Sequence, residues 1–316
     1  MAPPPLRLGV SACLLGQQVR YDGGHKRDAY LTNTLGPFVE WVPVCPEDEA
    51  GFGTPRDPMR LIARADQLRL VTVNGADLTD RMTRFARVRT AALELERLSG
   101  YVFKKDSPSC GVERVKVYNR HGVAARTGRG LFAAALQARC PHLPIEDEGR
   151  LNDPRLRENF IERVFAYDRL RTLFEGRWSV GRLVDFHTRH KLTLMAHSVS
   201  AYGTLGQLVA SAKSLGRREV EERYRSEFMT ALETLATTRR HTNVLQHMAG
   251  YFKKTLDATA REELQTTIED YRRGLVPLVV PITLIRHHVR QLGVAYLAGQ
   301  VYLEPHPKEL MLRNHV

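Results

Sequence analysis

Residues 6–16 read LRLGVSACLLG, a short run of β-type side chains over Leu6–Ala12 that ends at a cysteine. The same order returns at residues 39–47, VEWVPVCPE, and at 100–111, GYVFKKDSPSCG, where a β-type run again leads into a loop bearing a cysteine. LRLVTV at 68–73 adds a fourth run. All four are short, rich in β-branched or aromatic residues and bounded by Gly, Pro or Asn, which predicts strands. Met82, Phe85, Val88, Ala92 and Leu95 recur at three- and four-residue steps, with Arg81, Arg84 and Arg87 on the other side. That spacing predicts an amphipathic helix, capped by Thr79 or Asp80. RGLFAAALQAR at 129–139 predicts another, ending at Cys140-Pro141. Strands alternating with helices predict an α/β domain with a mainly parallel sheet flanked by helices.

The alternation stops at residues 141–154, PHLPIEDEGRLNDP, whose Pro, Gly and acidic residues read as a linker. Asp153-Pro154 restarts a helix, with Asp as the cap and Pro in the first turn. Beyond it the periodicity is helical: Leu156, Phe160, Val164 and Tyr167 mark one helix, and Val220, Tyr224, Phe228, Leu232 and Leu235 another. The expected organisation is an α/β domain over residues 1–145, a linker over 146–156 and an all-α domain over 157–316.

Composition narrows the class. With 316 residues, 43% hydrophobic and 26% charged, the chain is long and apolar enough for two globular domains, which excludes a disordered tail or a disulfide-stapled miniprotein. Met1–Arg7 carries three prolines and no long apolar segment, so no secretion signal is expected. The most apolar stretch, GLVPLVVPITLI at 274–285, is too short for a membrane span and is broken by Pro277 and Pro281. These features predict a soluble, cytoplasmic protein. A formal charge of +12 favours a polyanionic partner, and both halves are basic: 22 Lys+Arg against 17 Asp+Glu in residues 1–150, and 25 against 18 in 151–316.

Cys13, Cys45 and Cys110 each follow the carboxyl end of a predicted strand, the edge of an open α/β sheet where ligands bind. They either converge there or are three separate buried thiols. If they converge, three thiolates suit zinc with an open fourth position or an iron-sulfur cluster with one iron not held by protein. Cys140 lies at a helix end and reads as structural. Glu47, two residues after Cys45, is placed to act as an acid or base, or else belongs to an exposed acidic run with Asp48 and Glu49. Ser107 and Ser109 could orient water or substrate, or only shape a tight turn. Arg20, Tyr21, Asp22, Arg56, Lys104 and Lys105 are candidate substrate-binding residues on neighbouring loops. Gly128-Arg129-Gly130 opens a helix whose amides could favour an anion, with turn glycines the plainer reading.

In the helical half, His187, His190 and His197 share spacing that one helix face could carry, but Leu192, Leu194 and Met195 around them point to ordinary packing. Lys253-Lys254 follow Tyr251-Phe252, and Arg272-Arg273 follow Tyr271. The cations could bind phosphates and the rings stack on bases, although such interleaving also arises from core aromatics beside a solvated face. Lys253, Lys254, Arg272 and Arg273 are thus the candidate nucleic-acid contacts.

SACLLGQQVRYDGGHK, VCPEDEAGFGTPRDPMRL, NGADLTDRMTRFA and KKDSPSCG, in this order, resemble the TudS-type thiouracil desulfidase domain. LVDFHTRHKLTLMAHS, RRHTNVLQHMAGYFKK, YRRGLVPLVVPITLIRHHVR and YLAGQVYLEPHPKELMLRN resemble the YbgA-type helical domain, and the fused pair resembles RudS-type tRNA 4-thiouridine desulfidases. The resemblance implies a four-iron four-sulfur cluster (4Fe-4S) on Cys13, Cys45 and Cys110, with an open iron for the sulfur of a thiolated uracil. It also implies catalytic roles for Glu47 and a serine of the SPSC loop, Ser107 first, and tRNA carrying thiolated uridine as partner. Two alternatives stay open: desulfuration of the free thiouracil base, and a non-catalytic RNA-binding protein whose cysteines hold zinc, with His25 as a possible fourth ligand.

Overall fold

The structure, a computed structural model, describes residues 6–64 and 67–315, so the prolines on which the reading of the chain start rests lie outside the described residues. The chain divides into two compact units between Asn152 and Asp153. The first is mixed α/β and the second is all-helical. Among the described residues no helix is long and apolar enough to cross a membrane.

The α/β unit carries strands β1 (Leu6–Ser11), β2 (Val39–Val44), β3 (Met59–Arg64), β4 (Gln67–Thr72), β5 (Gly100–Phe103), β6 (Val115–Tyr118), β7 (Ala124–Gly128) and β8 (Ile145–Asp147). Its helices are α1 (Pro46–Glu49), α2 (Thr79–Leu95) and α3 (Leu131–Arg139). One sheet runs β2-β1-β5-β8 with every pair parallel. Leu8, Val10, Val44, Val102 and Phe103 are fully buried in it, as a parallel sheet covered on both faces requires. Gly9 has no side chain because the Tyr101 ring occupies that space: a Cβ there would lie 2.1 Å from the ring. From β1 the chain passes to β2 on one side and later to β5 on the other. The strand order reverses at β1, and a crevice opens beyond its carboxyl end.

The second sheet runs β4-β3-β6-β7 and is mixed: β3 pairs β4 and β7 pairs β6 antiparallel, while β3 and β6 are parallel. The segment at 68–73, expected in a mainly parallel sheet, therefore belongs to a hairpin in a separate sheet. Strands β3, β6 and β7 escape a sequence reading because they are short or broken by exposed charge: Arg60 and Arg64 of β3 are exposed, β6 is four residues, VKVY, with Lys116 exposed, and β7 is AARTG. Strand β8 lies in the segment read as linker. Its IED sequence pairs with β5 at the sheet edge and buries Glu146 and Asp147.

Helix α2 is offset from its expected stripe. Met82, Ala86, Thr90 and Leu93 are buried, while Val88 and Leu95 are exposed. Thr79 does not cap it; its hydroxyl accepts from the Leu70 amide, and Asp77 accepts from the Thr79 amide.

The helical unit consists of α4 (Pro154–Phe174), α5 (Val180–His197), α6 (Val199–Ala210), α7 (Arg217–Glu233), α8 (Thr238–Ala249), α9 (Ala258–Arg272), α10 (Val279–Leu292) and α11 (Ala295–Ala298). Asp153 caps α4 as expected, accepting from the amides of Arg155 and Leu156. Ser179, Ser198, Thr237 and Asp257 cap α5, α6, α8 and α9. Two apolar clusters hold it together, one around Leu170, Leu183, Tyr224 and Phe228, the other around Leu245, Phe252, Ile268 and Ile285. Pro281 sits in the first turn of α10, where its missing N–H is tolerated.

Candidate functional site

Cys13 follows β1 by two residues, Cys45 follows β2 directly, and Cys110 lies on the loop after β5. These strands are neighbours and parallel, so their carboxyl ends deliver all three cysteines to one crevice. All three line a cavity of about 400 Å³ together with Ser11, Glu47, Arg56 and Ser107. Cys140 is elsewhere, half-buried at the end of α3.

The Cys110 loop is held by α3. The amide of Gly130 donates to Gly111 O (2.8 Å), that of Leu131 to Pro108 O (3.2 Å), and those of Phe132 and Ala133 to Ser109 O (3.0 and 3.2 Å). The helix N-terminus that the sequence offered to an anion is thus spent on the loop's own carbonyls. Gly130 is required by close approach: a Cβ there would stand 2.4 Å from the Ser109 carbonyl and 2.7 Å from the Cys110 amide.

Glu47 is not part of an exposed run. Its Oε2 accepts from Arg56 Nε (3.1 Å) and Arg56 NH2 (2.5 Å), and its Oε1 from Ser109 Oγ (2.9 Å) and Ser107 Oγ (3.3 Å). The Arg56 side chain is only 6% exposed and also donates to Val19 O and Gly53 O. Its guanidinium is fully engaged inside the protein, so Arg56 orients Glu47 rather than offering a free cation to a ligand. Ser107 Oγ accepts from the amides of Ser109 and Cys110 (3.2 and 3.1 Å), which aims its proton at Glu47. Ser107 lines the cavity; Ser109 is fully buried behind it.

Burial pushes the Cys13 thiol up to about 11, with Cys45 adding to the effect; it raises Cys45 as well and Cys110 strongly. As free thiols they are protonated at neutral pH and poor nucleophiles. A metal reverses that, because a coordinating thiol gives up its proton. Among the described residues no three His, Cys, Asp or Glu side chains stand close enough to hold a single metal ion. His25 is exposed, accepts from the Arg27 amide and is not among the residues lining the cavity.

Arg20, Tyr21, Lys104 and Lys105 line the cavity and Asp22 does not. Asp22 accepts from Arg20 and from the Gly24 amide, closing the turn at Gly23. Lys104 is paired with Glu148, which also accepts from the Lys105 amide (2.6 Å). Sequence reasoning missed Glu148, placed by β8, as well as Lys26 and Met59 on the cavity wall. The turn after VRYDGG could have signalled Lys26; nothing in the sequence signalled Glu148.

In the helical unit, His190 Nδ1 meets Phe186 O, His197 lies between Thr234 O and Glu162, and His187 meets Tyr224 Oη. The three are core groups with separate partners. Lys253 and Lys254 are exposed, whereas Arg272 and Arg273 both donate to Glu269. Phe252 and Tyr271 are buried in the core; Tyr251 is exposed and stacks on Tyr296.

Residues 8–148 match the 2-thiouracil desulfurase family and residues 191–307 match a protein family of unknown function, DUF1722. The uncharacterized protein YbgA of Escherichia coli (strain K12) is 36% identical over 165 residues, covering 52% of this chain and 98% of that protein. The uncharacterized protein YbbK of Bacillus subtilis (strain 168) is 31% identical over 151 residues, covering 46% of this chain and 97% of that protein. A solved structure, a [4Fe-4S]-dependent thiouracil desulfidase named TudS, aligns with 32% identity and a TM-score of 0.39 over 47% of this chain and 94% of that one. Over residues 8–148 the chain is thus similar to the 2-thiouracil desulfurase family and over residues 191–307 to DUF1722, and it belongs with the YbgA and YbbK relatives, each of which it covers almost completely.

Proposed function

We propose that the α/β unit replaces the ring sulfur of a thiolated uracil by oxygen, and that Cys13, Cys45 and Cys110 hold an iron-sulfur cluster for this purpose. The observation that carries the reading is the meeting of three cysteines with Glu47 and Ser107 around one cavity, in a unit that matches this family. The donor set fits such a cluster. Three cysteine side chains on one cavity are the donor set that would hold a cluster with one iron left open. When bound, the cluster supplies a Lewis-acidic open iron for the thiocarbonyl sulfur.

The protein's own groups account for the proton movements. The reaction is a hydrolysis: water adds its oxygen to the ring carbon, the carbon–sulfur bond breaks, and sulfur leaves as sulfide with no net redox change. Glu47, held by Arg56 on one oxygen, accepts the proton of the attacking water with the other, a role typically worth about 10²–10⁴-fold. Ser107, held by two backbone amides with its proton on Glu47 Oε1, positions that carboxylate for the step, while the charge of the tetrahedral intermediate falls on the sulfur. Tyr21, exposed and under the Arg20 guanidinium, offers an aromatic face to the ring.

The free thiouracil base is the substrate that the family match favours. A second reading, thiolated uridine in tRNA, draws on Lys26 and Lys105 on the cavity wall, which meet no carboxylate among the described residues, and on the exposed Lys253 and Lys254. The test is anaerobic iron and labile-sulfide analysis with turnover of 2-thiouracil and of 4-thiouridine-bearing tRNA at equal concentration. Iron lost in Cys13→Ala, Cys45→Ala and Cys110→Ala but kept in Cys140→Ala, with sulfide released from the base, is expected. Faster turnover of tRNA, weakening steeply with salt, would shift the assignment to RNA. No iron after reconstitution, and no sulfide from either substrate, would overturn both.

A further inference from the structure

A second polar cavity, of about 180 Å³, lies wholly within the helical unit and plays no part in the desulfurase chemistry. Its floor is an ionic network that is expensive to bury and therefore unusual in a structural core. Glu158 and Glu162, one turn apart on α4, are 8% and 4% exposed. Three of their four oxygens are hydrogen-bonded, and an Arg313 nitrogen stands near the fourth. Arg313 Nε meets Glu158 Oε1 (3.1 Å) and His315 Nε2 meets Glu158 Oε2 (2.9 Å), while His197 Nε2 meets Glu162 Oε2 (3.3 Å) and Arg313 NH2 approaches Glu162 Oε1 (3.7 Å).

What the wall leaves unspent is mostly donor capacity. His241 is 8% exposed, and its Nδ1 is occupied by Tyr302 Oη at 2.8 Å. Tyr302 Oη makes no other bond here, so its proton goes to Nδ1, and the imidazole carries its own proton on Nε2, the nitrogen left for the cavity. Burial keeps this ring neutral at pH 7 by pushing it down to about 4. Arg155 adds a guanidinium that meets no carboxylate within ion-pair distance among the described residues, and Tyr271 adds a hydroxyl whose oxygen Thr238 bonds, leaving its own proton free. Against these donors stand the carbonyl oxygen of Asn159, whose amide nitrogen already donates to Leu232 O, and Glu162 Oε1, which accepts no hydrogen bond among the described residues. Leu235, Ala236 and Leu278 close the rest of the wall. Both carboxylates already face Arg313 and a histidine, so an organic cation would compete with partners in place, whereas an oxyanion would meet Arg155, His241 and Tyr271 together.

We propose that this cavity binds a small oxyanion, the phosphate or carboxylate of a compact metabolite, between Arg155, His241 and Tyr271. The space holds roughly six waters' worth of volume, enough for such a group on a short organic body. The site makes the helical unit a ligand-binding module in its own right.

The test is calorimetric titration of the full chain with inorganic phosphate and, separately, acetate at constant ionic strength, in the wild type, Arg155→Gln, His241→Gln and Lys105→Gln. Lys105→Gln controls for phosphate held by the basic desulfurase cavity. Saturable binding of either anion that weakens about tenfold or more in Arg155→Gln and in His241→Gln, and persists in Lys105→Gln, is expected. The better-bound probe tells phosphate from carboxylate. Binding of neither anion, or binding that only Lys105→Gln weakens, would overturn the site. Because turnover is not the readout, failure here is distinguishable from failure of the desulfidase reading.

Discussion

At the scale of the residue, Arg56 decides how Glu47 behaves. A buried carboxylate that loses its guanidinium keeps its desolvation cost and loses its orientation, which is why breaking a buried pair is more damaging than the pair is stabilising. Arg56→Gln is expected to cost about 3 kcal/mol of stability in the α/β unit, read from its denaturant midpoint. At temperatures where the variant is folded, kcat should fall by about 10- to 100-fold with KM little changed, because Glu47 is misplaced rather than substrate binding lost. Arg56→Lys should recover only part of this, since an ammonium cannot reach Glu47 Oε2 with two donors while also holding Val19 O and Gly53 O. A KM-dominated loss would return Arg56 to the substrate-binding role expected from the sequence.

At the scale of the element, the site depends on α3 gripping the loop that carries Cys110. Gly130→Ala places a methyl group against the Ser109 carbonyl and the Cys110 amide, neither of which is a flexible side-chain end that could swing away. The expected cost is about 1–3 kcal/mol, with iron retention falling in parallel because Cys110 must shift with the loop. Unchanged iron content would show that the loop holds its own shape. Elements such as this mark what the sequence makes legible. The three strand-then-cysteine segments are readable because buried parallel strands are nearly all apolar, and the turn at Cys110 is dense in Ser, Pro and Gly. The roles of Gly130 and Glu148 are not, because each depends on a partner brought close only by folding: Gly130 on Ser109, and Glu148 on Lys104 across two neighbouring strands. The second sheet is hidden for a related reason. Strand β3 carries the exposed Arg60 and Arg64, and pairing rather than side-chain pattern holds β6 and β7 together.

At the scale of the whole molecule, the two units should answer acid differently. In the helical unit burial depresses His241 to about 4 and His190 to about 3, so on acidification the unfolded chain takes up protons that the folded unit refuses. Their contribution is complete above about pH 6.5 and is lost as the pH falls toward those values, on the order of 3 kcal/mol for His241 by pH 4. Glu162 and Glu158 follow. His197 and Arg313 at Glu162, and His315 and Arg313 at Glu158, outweigh the cost of burial and hold both carboxyls below the usual range. Stability from these carboxylates is present above about pH 4.3 and is lost as the pH drops through their lowered values. In the α/β unit Asp147 works the other way: burial raises it to about 6, so protonation between about 6 and 3.9 favours the folded state. The chain has two tryptophans, Trp41 on β2 and Trp178, buried in the helical core, so each unit has its own reporter. Fluorescence of Trp41→Phe and Trp178→Phe variants, followed in urea at pH 7.5 and pH 5, should show a clear fall in the midpoint seen by Trp178 and a much smaller change in that seen by Trp41. Equal shifts of both midpoints would mean that the units unfold as one or that the buried histidines find protons without unfolding.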